Sequence, residues 1–264
     1  MRLVDLTFPS HLSAERRDLL IDVADRAERT HGDAFLGLVL SGSAGRGLAT
    51  ERSDVDVDVI LASVPERVAT AKSSALDEAT TSLDELEELP TFGSDGWWYR
   101  WSYAWAPVLL DRSGGAVTEA VRCQASVTPE EADSILIEHD RLDGWLNYAY
   151  RSRKSDRDGR ALESRLDAVE SLPWLLDTIF SIAGRVRPYH KYLPWELREH
   201  PVEGWPADVL LPLLTRTADG DPAALRETFT LVASACDEHD AARGHTLTTD
   251  TIRGWGDELE LFRG

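Results

Sequence analysis

The sequence predicts an α+β fold, in which a small mixed-sheet domain is followed by an all-helical bundle domain. In the first half, short apolar runs and a period-two stretch alternate with segments whose apolar residues recur every three to four positions. After residue 128 only the helical period remains, and Thr128, Pro129 and Glu131 form the signature of a helix start. The predicted domains are therefore residues 1–128 and residues 129–264.

The first half contains both kinds of element. Residues 14–30 carry apolar side chains at helical spacing and predict a helix. Residues 34–40 form a continuous apolar run, which is typical of a strand buried on both faces. Residues 54–61 alternate aspartate with valine and predict a strand with one polar and one apolar face. The remaining predictions are a helix over 65–82 and one bent strand or two strands over 97–103 and 107–110.

The second half is predicted to contain helices only. A first helix begins at Thr128 and runs to about residue 153. A second covers residues 158–184 with a break at Pro173, because proline lacks the amide hydrogen that an inner helical turn needs. Asp221 and the proline after it begin another helix, and a last one is expected near residues 248–262.

Composition restricts the classes of function. The chain has 264 residues, of which 42% are hydrophobic, and a formal net charge of −19. This excess of negative charge opposes binding to a phosphate backbone, so we expect no general nucleic-acid binding. No uncharged stretch approaches the roughly 18 residues of a membrane span, and the first residues lack the apolar segment of a signal peptide. We therefore expect no membrane association and a cytoplasmic location.

The cysteines and histidines form no recognisable metal motif. Cys123 and Cys236 stand alone in the sequence, so neither a disulfide framework nor a zinc knuckle is expected. The seven histidines show no spacing typical of metal ligands, and His190 is assigned no function.

The most specific pattern lies between residues 38 and 58. A hydrophobic strand runs into Gly42 and Ser43, and after ten further residues Asp54, Val55 and Asp56 begin the next strand. Side chains at positions i and i+2 of a strand lie on the same face, so the two carboxylates can share a divalent cation. The glycine spacing fits neither the dinucleotide-binding fingerprint nor a P-loop.

These residues resemble the signature of the nucleotidyltransferase superfamily, which includes DNA polymerase β and the bacterial aminoglycoside adenylyltransferases. That signature is a hydrophobic strand, Gly-Ser, a gap of similar length, and two acids separated by a hydrophobic residue. The resemblance is closest over residues 36–62, where Arg46-Gly47 and Ser53-Asp54 also match many members. It implies that the first predicted domain is a nucleotidyltransferase domain.

The resemblance implies a site for divalent metal. Asp54 and Asp56 would hold a pair of Mg²⁺ ions that bridge the triphosphate of ATP. A third carboxylate is needed on a neighbouring strand, as a metal ligand or as a base, and the candidate is Asp111 at the end of an apolar run. Asp111 alternatively caps the turn that follows it. Asp58, on the same strand face, either contacts a substrate or faces solvent.

The resemblance also implies a set of nucleotide-binding residues. Gly42 and Ser43 would offer backbone amides and a hydroxyl to the phosphates, where a larger residue would block close approach. Arg46 or Ser53 would add to this contact. Lys191, in a segment bounded by two prolines, would reach the triphosphate from the helical domain.

The predicted activity is the Mg²⁺-dependent transfer of a nucleoside monophosphate, AMP from ATP, with release of pyrophosphate. The acceptor is predicted to be a hydroxyl of a small molecule such as an antibiotic, bound in a cleft between the two domains. The negative net charge would favour a cationic acceptor. Two alternatives are a nucleotidyltransferase that modifies a protein or tRNA partner, as antitoxin-like members do, and a nucleotide-binding domain without catalysis.

Overall fold

The computed structural model describes residues 4–64 and 72–263. The chain divides into two compact units, Met1–Ser126 and Val127–Gly264. The first unit contains a small mixed sheet with helices, and the second is built from helices. The predicted α+β class, with a sheet-containing part followed by a helical part, is confirmed.

A four-stranded sheet organises the first unit. Its strands lie in the spatial order β3-β2-β1-β4. β1 is antiparallel to both β2 and β4, whereas β2 and β3 are parallel. Their bounds are β1 Phe35–Leu40, β2 Val55–Leu61, β3 Leu76–Ser82 and β4 Val108–Asp111.

Helices cover the two faces of this sheet unequally. The valines that alternate along β2 are buried in one cluster with the apolar face of the first helix. On the opposite face, Val39 and Ile60 pack against the third and fifth helices. Asp56, Asp58 and Ile60 alternate with these valines and lie on the second face of β2, so its polar half adjoins the second cluster at Ile60. The helices are α1 Ala14–His31, α2 Gly42–Gly45, α3 Leu83–Glu87, α4 Trp97–Arg100 and α5 Ala116–Ala125.

The helices of the second unit surround one large apolar core. None of the helices in the described part of the chain has both the length and the apolar character needed to cross a lipid bilayer. They are α6 Pro129–Asp133, α7 Arg141–Arg157, α8 Ala161–Ile182, α9 Leu193–Glu199, α10 Ala207–Ala218, α11 Pro222–Arg243, α12 Leu247–Gly254 and α13 Glu260–Arg263.

Two helices begin with the capping hydrogen bonds that the sequence predicts. The Thr128 hydroxyl accepts a hydrogen bond from the Glu131 amide, and the Glu131 carboxylate accepts one from the Thr128 amide, so α6 begins with a capping box. The Asp221 carboxylate caps α11 by accepting from the amide of Ala223. Short-range sequence patterns are reliable here because all the partners lie within three residues.

Two predictions in the first unit are wrong. The helix expected over 65–82 is a strand over Leu76–Ser82, because that segment pairs with β2; residues 65–71 lie outside the described part. The strand expected over 97–103 is α4 followed by a 3₁₀ turn. Trp97 and Trp101 are buried four positions apart, as on one face of a helix.

Two predictions in the second unit also need correction. Pro173 lies inside the unbroken α8, where packing against α7 compensates for the missing backbone hydrogen bond. The single helix expected after Thr128 is divided by a wide π-helical turn over Ser134–Glu138 and by Asp140 in the left-handed conformation.

The contact between α7 and α8 gives a stability prediction. A Cβ at Gly144 would lie 2.3 Å from Cε3 of Trp174. Gly144→Ala should therefore destabilise the protein by about 1–3 kcal/mol through overpacking. The matched control is Gly254→Ala in α12, where a Cβ meets nothing within 4 Å and stability should not fall. Urea unfolding checks both variants, and equal stability of the two would contradict this packing.

Candidate functional site

The turn after β1 requires glycine at residue 42. Gly42 has φ +59°, a left-handed conformation that strains other residues. A Cβ at this position would also lie 1.8 Å from Oδ2 of Asp56. The amide of the preceding Ser41 donates to the backbone oxygen of Asp56 at 3.0 Å, which holds the turn against β2. The Gly-Ser turn and the second acid of the motif are therefore in direct contact.

Three carboxylates meet beside this turn. β2 and β3 pair in parallel with Asp56 opposite Asp77, so the two side chains project on the same face, and Asp54 precedes them by one strand period. One oxygen from each carboxylate lies within 4.8 Å of the other two. All three residues are half-buried. Such a set of hard oxygen ligands is what Mg²⁺ prefers in proteins.

Lys72 offsets part of this negative charge. Its Nζ donates to Oδ2 of Asp77 at 2.7 Å. The hydrogen bond and the charge of Asp77 raise the pKa of Lys72, and the carboxylates of Asp54 and Asp56 add to the effect. The three carboxylates therefore attract a cationic side chain, that of Lys72.

Asp58 lies one strand period beyond Asp56 and does not face open solvent. Burial, together with the negative charges of Asp56 and Asp77, raises its pKa to about 7, although a hydrogen bond from the Ser41 hydroxyl opposes these effects. Asp58 is thus partly protonated near neutral pH, which reduces the repulsion within the acidic face. Of the two roles left open for it, solvent exposure does not fit this environment.

The structure does not bring Asp111 to the other acids. Asp111 pairs with Gly37 of β1, which in turn lies opposite Ile60 of β2. Asp111 is therefore two strands away from Asp56 and offset by four residues, roughly 10 Å across and 13 Å along the sheet. The prediction that Asp111 joins Asp54 and Asp56 is therefore wrong. Asp77 lies beside these two carboxylates instead.

The Asp111 carboxylate caps the following turn and the start of α5. Its Oδ1 accepts from the amide and hydroxyl of Ser113 at 2.9 and 2.6 Å, and its Oδ2 accepts from the amide and hydroxyl of Thr118 at 3.0 and 2.7 Å. Burial alone would raise the pKa of Asp111, but these hydrogen bonds outweigh it and lower the pKa to about 2.

Arg46 has a structural contact set in place of the predicted contact with phosphates. Its buried guanidinium group donates to the carbonyl oxygens of Gly42, Trp101, Ser102 and Ala104 at 2.6–3.1 Å. It also stacks on the Trp101 ring, with Cζ 4.2 Å from the ring centroid. Arg46 thus holds the Gly-Ser turn to the tryptophan-rich segment, and its donors are directed at carbonyls rather than at a ligand site.

The other predicted nucleotide-binding residues are placed as follows. Ser43 is half-buried in α2, directly after Gly42. The Ser53 hydroxyl accepts from the amide of Thr50 at 3.0 Å and so closes the turn before Asp54. Lys191 belongs to the second unit, where it is exposed with Nζ 4.6 Å from the centre of the Tyr192 ring. Its contact with a triphosphate stays a prediction.

Sequence reasoning missed Asp77 because it assigned the wrong element. A helix over residues 65–82 would not align Asp77 with Asp56. The available signal was weak: Leu76 and Glu78 are the buried positions on one face of β3, and two threonines follow them. Glu78 is buried on the opposite face from Asp77, where it forms an ion pair with Arg26 of α1.

Comparison with known proteins gives matches among solved structures but none among protein families. No known protein family matches the sequence, and no curated protein is similar to it. Among the similar solved structures is a nucleotidyltransferase-like protein from Exiguobacterium sibiricum, 14% identical, with a TM-score of 0.41 over 82% of this chain and 77% of that chain. That score is too low to carry a conclusion about this chain.

The low pKa of Asp111 predicts a stability difference that depends on pH. The folded pKa of about 2 lies below the ordinary value of 3.8, so the ionised carboxylate stabilises the fold at higher pH and loses this effect as pH falls through that range. Asp111→Asn should cost about 1–2 kcal/mol near neutral pH, allowing for partial exposure, and the cost should shrink below about pH 4. Urea unfolding over a pH series checks this, and a pH-independent difference would contradict it.

Proposed function

We propose that the protein is a nucleotidyltransferase that transfers AMP from ATP to a hydroxyl of a small-molecule acceptor and releases pyrophosphate. The observation that carries this proposal is the set of three carboxylates on Asp54, Asp56 and Asp77, in contact with the turn at Gly42 and Ser43. A tight glycine turn beside clustered acids combines a place for phosphates with a place for the cations that accompany them.

The residues present fit Mg²⁺. Three carboxylates contribute oxygen ligands within 4.8 Å of one another, and the backbone at Gly42 approaches Asp56 as closely as glycine permits. Asp54 and Asp56 would hold the cations, with Asp77 as the third ligand. Bound there, Mg²⁺ would neutralise the charge that develops on the α-phosphoryl group and on the leaving pyrophosphate.

The chain's own groups would bind and orient the reactants. The backbone amides and the hydroxyl of the Gly42-Ser43 turn would hold the phosphates beside Asp56. The acceptor hydroxyl would attack the α-phosphorus, its oxygen forming the new P–O bond while the bond to the pyrophosphate oxygen breaks. Asp77, at the exposed edge of the cluster, would accept the hydroxyl proton once it is released from Lys72.

A cationic acceptor suits this site. The ammonium group of Lys72 forms an ion pair with Asp77 and is attracted by the charges of Asp54 and Asp56, so a substrate amine would be attracted to the same carboxylates. The net charge of −19 would further draw a polycationic molecule toward the protein. An aminoglycoside-like antibiotic, with several amines and hydroxyls, has this chemistry.

The alternative of an inactive nucleotide-binding domain is weakened by Asp77. That alternative depended on a missing third carboxylate, and Asp77 supplies a carboxylate where Asp111 does not. A hydroxyl of a protein or tRNA partner is the alternative acceptor, because the same carboxylates would serve any hydroxyl group.

The activity is tested by incubating the protein with ATP, Mg²⁺ and each member of a panel of hydroxylated cationic antibiotics. Pyrophosphate release is measured, and mass spectrometry of each antibiotic shows whether AMP has been added. Asp56→Asn should abolish turnover, and Asp77→Asn should lower it by roughly 10²–10⁴-fold if Asp77 accepts the proton. Asp111→Asn is the matched control and should keep wild-type turnover below its melting temperature. Wild-type turnover in Asp56→Asn, or equal losses in Asp77→Asn and Asp111→Asn, would refute the assignment.

A second experiment concerns the role predicted for Lys191. If its ammonium group contacts the triphosphate, Lys191→Ala should weaken ATP binding by about 1.5–3 kcal/mol. Lys154→Ala, another lysine of the helical unit, provides the control and should leave ATP affinity unchanged. Calorimetric titration with ATP and Mg²⁺ distinguishes the two, and equal ATP affinities would remove Lys191 from the site.

A further inference from the structure

The second unit contains a polar cluster of two histidines and one aspartate. Nε2 of His239 lies 2.9 Å from Oδ1 of Asp133, and Nε2 of His245 lies 3.2 Å from the same oxygen. One ligand atom from each of the three residues lies within 4.8 Å of the other two. His239 is 8% exposed, Asp133 17% and His245 23%, so water has limited access to all three.

These separations are those of ligands around one metal ion. Zn²⁺ binds imidazole nitrogen and carboxylate oxygen at about 2.0–2.1 Å, so adjacent ligands of a tetrahedral site lie about 3.3 Å apart. The two observed distances to Oδ1 of Asp133, 2.9 and 3.2 Å, are close to that edge length. Two imidazoles and one carboxylate are a donor set that suits zinc, and they leave a coordination position for water.

The surrounding groups would orient these ligands. Nε and Nη2 of Arg243 donate to Oδ2 of Asp133 at 3.2 and 3.0 Å, which turns Oδ1 toward the two imidazoles. Nδ1 of His245 lies 3.1 Å from Oδ1 of Asp240, close enough for an ion pair but not aligned as a hydrogen bond. A carboxylate behind a metal-binding imidazole fixes its tautomer and ring position.

The local charge also favours a dication. The carboxylates of Asp133, Asp240 and Glu130 contribute three negative charges, and Arg243, which bridges Asp133 and Glu130, contributes one positive charge. With both imidazoles neutral, the cluster carries about two negative charges, which a divalent cation would neutralise.

The fold brings the ligands together from three segments. Asp133 ends α6, directly before the π-helical turn over Ser134–Glu138. His239 and Arg243 lie one helical turn apart on the same face of α11. Gly244, with φ 71°, ends α11 in the left-handed conformation, so the chain reverses and places His245 beside His239.

We propose that Asp133, His239 and His245 form a zinc site in the helical unit. The ion would connect the end of α6, the last turn of α11 and the start of the segment that leads into α12. Because Asp133 is more than a hundred residues from both histidines in sequence, the ion would stabilise the packing of α6 against the end of α11. The site uses none of the residues of the carboxylate cluster at Asp56.

The alternative is a metal-free network of hydrogen bonds. In that case His245 would donate from Nε2 to Oδ1 of Asp133 and would leave Nδ1, 3.1 Å from Oδ1 of Asp240, without a hydrogen bond. His239 would donate from Nε2 to the same oxygen of Asp133. This alternative predicts no affinity for zinc, so titration with the ion decides between the two.

The test uses the full-length protein, stripped with a chelator and kept in millimolar Mg²⁺ so that the acidic cluster does not retain zinc. Titration with Zn²⁺ against a chromophoric chelator should show one tight equivalent, and the melting temperature should rise with zinc. Co²⁺ in place of zinc should give the intense visible absorption of a tetrahedral site with nitrogen ligands. Absence of a tight equivalent in the wild-type protein would overturn the proposal.

Substitutions locate the site. His239→Gln and His245→Gln should each weaken zinc binding by about 100-fold or more, and Asp240→Asn by about 10–100-fold, as expected for an orienting partner. His31→Gln in α1 is the matched control and should bind zinc as the wild type does. Asp56→Asn, measured in parallel, should also keep the tight equivalent.

Tight zinc binding that survives in both histidine variants would place the ion elsewhere and overturn the assignment. If either variant fails to fold, the wild-type zinc titration and the Co²⁺ spectrum still test the proposal. A weak absorption typical of six oxygen ligands would contradict binding of the ion by two imidazoles. Neither result depends on nucleotidyl transfer, so this proposal and the proposed function can fail separately.

Discussion

The parallel pairing of β2 with β3 is the constraint on which the candidate site depends. It places Asp56 directly opposite Asp77, so two carboxylates share one face at the spacing of adjacent strands. Like charges at this distance repel, and the structure offsets the repulsion in two ways. Lys72 forms an ion pair with Asp77, and burial raises the pKa of Asp58 to about 7, so that this fourth acid is partly neutral. A concentration of negative charge remains beside the turn, which a bound cation would relieve.

The Gly-Ser turn is shaped by the same constraint. Because the Asp56 carboxylate projects toward the end of β1, the chain at residue 42 must pass it without a side chain. Arg46 then holds the turn in place by donating to carbonyls of both the turn and the segment around Trp101. A buried arginine used in this way makes the turn rigid, and rigid backbone amides bind phosphate at a lower entropic cost than mobile ones. Arg46 thus has a structural role, whereas the residues proposed to bind phosphate are Gly42 and Ser43.

The two polar clusters of the molecule differ in ligand chemistry. The cluster at Asp56 offers only carboxylate oxygens, which suit hard cations such as Mg²⁺. The cluster at Asp133 adds two imidazole nitrogens, which suit zinc and other transition metals. The first lies at the end of strands beside an exposed lysine, whereas the second is enclosed between helices. If the proposed ions bind, the exposed cluster at Asp56 would exchange its cation readily, whereas the enclosed cluster at Asp133 would retain its ion.

The sequence by itself determined the elements whose signals are local. Period-two alternation identified β2, helical spacing identified α1, and capping residues located the starts of α6 and α11, because each pattern involves neighbours in the chain. The Gly-Ser and Asp-Val-Asp pattern indicated the candidate site for the same reason. Only the tertiary structure decided the rest: β3 has weak periodicity of its own and forms because β2 pairs with it, which places Asp77, and not Asp111, beside Asp54 and Asp56. Likewise, Asp133 and His239 meet across 106 residues, and no spacing rule along one chain can encode a contact that depends on how separate helices pack.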